Sequence, residues 1–144
     1  MKKILLFITL LSALTLSSGL VSSAGKSANA TKKERGTVTF TEPVKLMGVT
    51  LKGEYLFVHN DEAMMRGEEC TFVYKGPAEV RDQLVVSFHC TPVQRARASN
   101  FTVRTQKLLP GPTEITEFQF GGSTEGHMVP TSGYAAHVPV VGLD

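Results

Sequence analysis

Folding the chain about Val80 sets Cys70 opposite Cys90, Phe72 opposite Phe88 and Tyr74 opposite Val86. All three pairs belong to one antiparallel register, and Thr71/His89, Val73/Ser87 and Lys75/Val85 fall on the other, more polar face. Side chains along a strand alternate faces with a period of two, so a single register that sorts both faces predicts a β-hairpin. Residues 101–107 and 114–120 repeat the logic across Pro110-Gly111-Pro112. Phe101/Phe120, Val103/Phe118 and Thr105/Thr116 make one largely apolar face, while Arg104 meets Glu117 and Lys107 meets Glu114. Opposite-charge pairs across strands contribute about 0.2–1 kcal/mol each, enough to select a register.

The remainder reads the same way. Residues 37–40 alternate polar and apolar up to the break at Glu42-Pro43, and residues 45–51 and 54–59 form a hairpin about Lys52-Gly53. Residues 60–69 make an irregular loop or one helical turn, Thr91-Pro92 ends a strand or turns it into an edge, and residues 127–130 make a short closing strand. No segment holds a helical period. The expected fold is all-β, a small antiparallel β-sandwich or partly open barrel of about seven or eight short strands.

The first residues do not belong to that domain. Met1-Lys2-Lys3, the apolar run 4–16 and the small residues after it form a secretory signal pattern, with cleavage after Ala24 favoured and Ala30 as the second site. The run is shorter than the roughly 20 apolar residues of a membrane helix. Residues 25–35, rich in Ser, Ala, Lys and Gly, read as a flexible leader that includes Lys32-Lys33-Glu34-Arg35. The β-domain covers 36–130, and 131–144, with its apolar Val138-Pro139-Val140-Val141, is a tail or edge strand. Secreted or periplasmic localisation follows, and an oxidising compartment favours a Cys70–Cys90 disulfide. Without Lys2 and Lys3 the chain carries 13 basic and 13 acidic residues, which gives no reason to propose a nucleic acid or an anionic membrane as partner.

The segments Glu42-Pro43-Val44, Gly53-Glu54-Tyr55-Leu56-Phe57-Val58-His59, Phe88-His89-Cys90-Thr91-Pro92-Val93 and Glu117-Phe118-Gln119-Phe120-Gly121-Gly122-Ser123-Thr124-Glu125-Gly126-His127 resemble a group of small secreted bacterial β-proteins. The resemblance spans 36–130. It implies an exported single-domain β-fold and carries over no catalytic residue.

Chemistry-bearing motifs are sparse. A metal site needs three or four converging His, Cys, Asp or Glu ligands. His59, His89, His127 and His137 are scattered, although His59 lies near Asp61 and Glu62, and Glu125 would share a strand face with His127. Ser123 sits in Gly121-Gly122-Ser123-Thr124-Glu125, which is not the G-x-S-x-G of a nucleophile elbow. The backbone of loop 121–126 has the glycines of an anion-binding nest, which a plain turn between strands requires as well. With no Trp in the chain, Tyr55 and Tyr134 are the rings most available to a glycan. The expected function is a non-catalytic binding or structural module of the cell envelope or extracellular space, without a cofactor, whose partner is an envelope protein or a glycan. One alternative is a glycan or small-ligand site around Tyr55, His59, Ser123, Glu125 and His127. Another is a metal-dependent enzyme using His89, Glu125 and His127.

Overall fold

A computed structural model describes residues 32–131. The signal segment, most of the leader and the tail after Thr131, including Tyr134 and His137, lie outside the described residues. Eight strands follow one another: β1 (Lys33–Leu46), β2 (Val49–Asn60), β3 (Thr71–Lys75), β4 (Leu84–Phe88), β5 (Thr91–Gln94), β6 (Thr102–Lys107), β7 (Thr113–Gln119) and β8 (Glu125–Met128). A short α-helix, α1 (Asp61–Met65), follows β2. Asn60 caps it, its side chain accepting the backbone N–H groups of Glu62 and Ala63. Among the described residues no helix is long and apolar enough to cross a membrane.

The strands form one mixed sheet in the order β4-β3-β2-β1-β7-β8-β5. β6 lies along one edge of β7, whose other edge is shared between β8 and the end of β1. The β1–β7 contact at Lys45–Glu114 is parallel, and the remaining strand pairs are antiparallel. The sheet curls into a half-open barrel, as expected for the class. Aromatic packing across the curl shows this directly: Phe57 on β2 meets Phe118 on β7 with ring centroids 5.4 Å apart, although β1 lies between these strands. Phe101 and Phe120 complete the group, 5.2 Å from each other. Full burial of each such ring contributes about 1.5–3 kcal/mol, so the phenylalanines hold the curl closed.

β1 begins at Lys33, three residues before the expected domain start at Gly36. Its inward positions continue the alternation of residues 37–40 backwards through Gly36 to Glu34, both buried. Gly36 is needed because the Phe101 ring lies on it: a Cβ there would stand 2.3 Å from Phe101 Cγ.

Three expected registers are corrected. The β1–β2 turn falls at Met47-Gly48, both with positive φ as a two-residue type I′ turn requires, whereas Lys52-Gly53 lies within β2 opposite the bulge that follows Phe40. The β3–β4 hairpin is slipped by one residue, pairing Thr71 with Phe88 and Val73 with Val86. A 3-10 turn at Arg81–Gln83 offsets one arm, so Thr71 and Val73 point inward while Phe72 and Tyr74 are half-buried outside. The β6–β7 hairpin keeps Val103/Phe118 and Arg104/Glu117, then a bulge pairs Lys107 with Thr113 instead of Glu114. Pro92 lies in β5, at the edge of the sheet, where a missing N–H is tolerated.

Glu117 is a buried carboxylate gripped from two sides. Arg95 donates Nε and Nη2 at 2.9 and 2.7 Å, and Arg104 donates from the neighbouring strand. The Arg95 hydrogen bond and the charge of Arg104 hold the carboxyl below its ordinary value despite burial.

Two outcomes are expected. Gly36→Ala should destabilise the fold by about 1–3 kcal/mol in urea titrations, since the Phe101 ring must give way; unchanged stability would mean that this contact is loose. A depressed carboxylate contributes stability above its unfolded pKa of about 4.3, and that contribution is lost as pH falls through the lower folded value. Glu117→Gln should therefore cost about 1–3 kcal/mol at neutral pH and flatten the acid limb of the stability curve. A variant curve running parallel to the parent's down to acid pH would show that the carboxylate is not linked to folding.

Candidate metal centre

Strand geometry gathers the centre at one end of the curled sheet. Phe57 and His59 point inward from β2 at alternate positions, and the β1 pairing sets Glu34 directly opposite His59. His127 comes from β8, where it pairs with Phe118 of β7, and the two rings stack at 5.0 Å. Cys70 immediately precedes β3, and Cys90 lies between β4 and β5. Alternation continues past Phe88, so His89 faces solvent and Cys90 turns in.

His59, Cys90 and His127 are wholly buried, each at 0% exposure, and their ligand atoms lie within 4.8 Å of one another. Cys90 Sγ is 3.5 Å from His127 Nδ1, and the two imidazole centroids are 4.2 Å apart. Two ligands at about 2.3 Å (sulfur) and 2.0 Å (nitrogen) from a tetrahedral ion stand about 3.5 Å apart, the separation observed between Cys90 and His127. Both nitrogens of His59 and Nε2 of His127 are buried with no hydrogen-bond partner. Asp61 Oδ1 lies 3.0 Å from His59 Nδ1 but off the line a ring N–H requires.

Glu34 stands on the far side of the His127 imidazole from Cys90. Glu34 Oε2 is 3.8 Å from His127 Nε2, while His127 Nδ1 faces Cys90. Burial opposes ionisation of Glu34, yet the nearby His127 imidazole and the Lys32 ion pair outweigh it and keep the carboxyl below its usual range.

The expected disulfide is corrected. Cys70 and Cys90 are free, with their Sγ atoms 3.3 Å apart, far beyond the roughly 2.05 Å of a covalent bridge. The slipped β3–β4 register removes the directly opposed pairing on which the disulfide rested, and both cysteines sit just outside the strands. Cys90 N–H donates to Cys70 Sγ at 3.3 Å. The thiol contact with Cys90 pulls Cys70 down, with His59 adding to the effect, and the same contact with burial pushes Cys90 up. The two shifts have opposite signs because the thiols share one contact.

Of the other expected residues, His127 and His59 belong to the centre and the rest do not. His89 is exposed and donates Nδ1–H to the Glu68 carbonyl at 2.6 Å, so the trio His89, Glu125 and His127 is not assembled. Glu125 is half-buried at the start of β8. Ser123 is fixed in its loop, its Oγ accepting Glu125 N–H at 3.0 Å. Tyr55 is buried, its OH accepting Lys52 N–H at 3.4 Å, and offers no platform to a glycan. The expectation of a module without catalytic or metal chemistry is corrected by the buried His59–Cys90–His127 triad. Glu34 was missed because its charge run reads as a solvated leader; the signal was the alternation Glu34-x-Gly36-x-Val38-x-Phe40. Compared with known protein families, with curated proteins and with solved structures, the chain matches none.

If His127 serves a ligand rather than the fold, removing its polar atoms should leave the metal-free protein intact. His127→Leu should stay within about 1 kcal/mol of the parent in urea titrations with chelator present, since an unpartnered buried nitrogen is lost with the ring stacking. A loss of about 3 kcal/mol or more would identify His127 as a structural residue.

Proposed function

We propose that this chain is an exported metal-binding β-domain that holds one thiophilic ion, Zn2+ or Cu+, through His59, Cys90 and His127. The supporting observation is a fully buried His59 with neither nitrogen hydrogen-bonded, gathered with His127 and two thiols. Each buried polar atom without a partner costs about 1–3 kcal/mol. Coordination by a structural zinc site returns about 10–16 kcal/mol, so an ion outweighs the cost of keeping these groups bare. Imidazole with thiolate selects zinc and copper over Mg2+ and Ca2+, which prefer oxygen. Export, supported by the signal pattern of residues 1–24, places the centre outside the cytoplasm.

Cys70 sets the character of the centre. As a fourth ligand it closes a Cys2His2 tetrahedron, which needs the two sulfurs to part from 3.3 Å to about 3.8 Å. Left off the ion, it leaves three protein ligands and one exchangeable position, the arrangement of metal-dependent enzymes. The sulfur contact puts Cys70 within reach of the four-ligand form.

Anaerobic titration of the reduced, metal-free protein with Co2+ tests both statements. One equivalent should raise a thiolate-to-cobalt charge-transfer band and tetrahedral visible bands, and Zn2+ should bleach them. His127→Leu should abolish the signal. Cys70→Ala should cut the charge-transfer intensity by about half if two thiolates ligate, and leave it intact if one does. No charge-transfer band in the parent at any Co2+ concentration would defeat the proposal.

A further inference from the structure

We infer that Glu34, His59 and Asp61 form a second, outer ion station through which metal passes to and from the inner thiolate centre; this rests on the metal-binding reading above. The ligand atoms of Glu34, His59 and Asp61 also lie within 4.8 Å of one another, so His59 belongs to two ligand sets. The inner set offers nitrogen and sulfur and the outer set two carboxylates and nitrogen. Exposure rises outward, from 0% at His59, Cys90 and His127 through 8% at Glu34 to 30% at Asp61. The acidic pair alone would mean little. What marks it as an ion site is the fully buried His59 nitrogen beside it, with Asp61 Oδ1 at 3.0 Å and no hydrogen bond made.

Neutral imidazole carries one lone pair, so His59 can ligate one ion at a time. The two stations therefore alternate, the one lone pair of His59 serving a single ion at a time. Carboxylates suit the outer post because they accept a hydrated divalent ion, while thiolate and imidazole hold it more firmly once water is shed. Glu34 links the posts geometrically: it stands opposite His59 across β1–β2 and 3.8 Å from Nε2 of His127. Lys32, ion-paired with Glu34 and largely exposed, covers the approach and must swing away when an ion arrives.

A station on the path lowers the barrier in both directions, whereas a carboxylate that only orients an imidazole acts on the bound state. Stopped-flow kinetics with Co2+, following the charge-transfer band during loading and during removal by excess chelator, separate these. In Asp61→Asn and Glu34→Gln, loading should slow by about tenfold, within the range that focused charge gives to association. Release should slow by the same factor, leaving the equilibrium constant unchanged. Any result in which release fails to slow together with loading overturns the station, including faster release with affinity weakened about 10–100-fold, the mark of an orienting carboxylate. Far-ultraviolet circular dichroism of both variants confirms the fold. A parent protein without the band defeats the inner centre itself, a different result from a parent that loads normally beside variants with unchanged rates.

Discussion

The antiparallel pairing of β1 with β2 places Glu34 opposite His59, and the other features of the centre depend on that alignment. A slip of one residue would turn His59 to the outer face and exchange Glu34 for an exposed neighbour. Three features hold the register. The type I′ turn at Met47-Gly48 fixes one end, the bulge after Phe40 sets the offset, and Gly36 admits the Phe101 ring where no side chain would fit. Residues far from the thiols thus decide whether a ligand set exists.

Curling of the sheet is the second requirement. His59 and Cys70 come from the β1–β4 meander, whereas His127 comes from β8 on the far side of β7. They meet because Phe57, Phe101, Phe118 and Phe120 close the sheet on itself, and because Phe118 stacks on His127. The aromatic wall also excludes water, which strengthens ligand-to-ion attraction and makes the bare imidazoles costly. One packing arrangement therefore both assembles the ligands and raises the energy of leaving them unfilled.

Much of the fold was legible because strand alternation is a local signal. Phe101 to Glu117 could be aligned on both faces at once, and Arg104/Glu117 and Val103/Phe118 hold in the structure. The β3–β4 hairpin was recognised with the wrong register, since mirror symmetry about Val80 cannot anticipate a 3-10 turn that offsets one arm. The centre was harder to see. His59, Cys90 and His127 have no ligand spacing in sequence because each comes from a different part of the sheet, and convergence depends on how far the sheet curls. In the sequence His59 and His127 read as candidates, Cys90 as half of a crosslink and Glu34 as part of the leader.

The free thiols and the bare imidazoles belong to one physical problem. A Cys70–Cys90 bridge would remove the soft donors from the cluster and leave the buried imidazoles without them. Keeping the sulfurs apart and in contact preserves two soft donors where a cation would find His59 and His127 already in place. Evolution toward stability alone would fill such a cluster with apolar side chains, since the surrounding wall is already phenylalanine. Retaining four polar groups at full burial is understandable if a ligand completes them, and one ion can engage a nitrogen of each imidazole and a sulfur together.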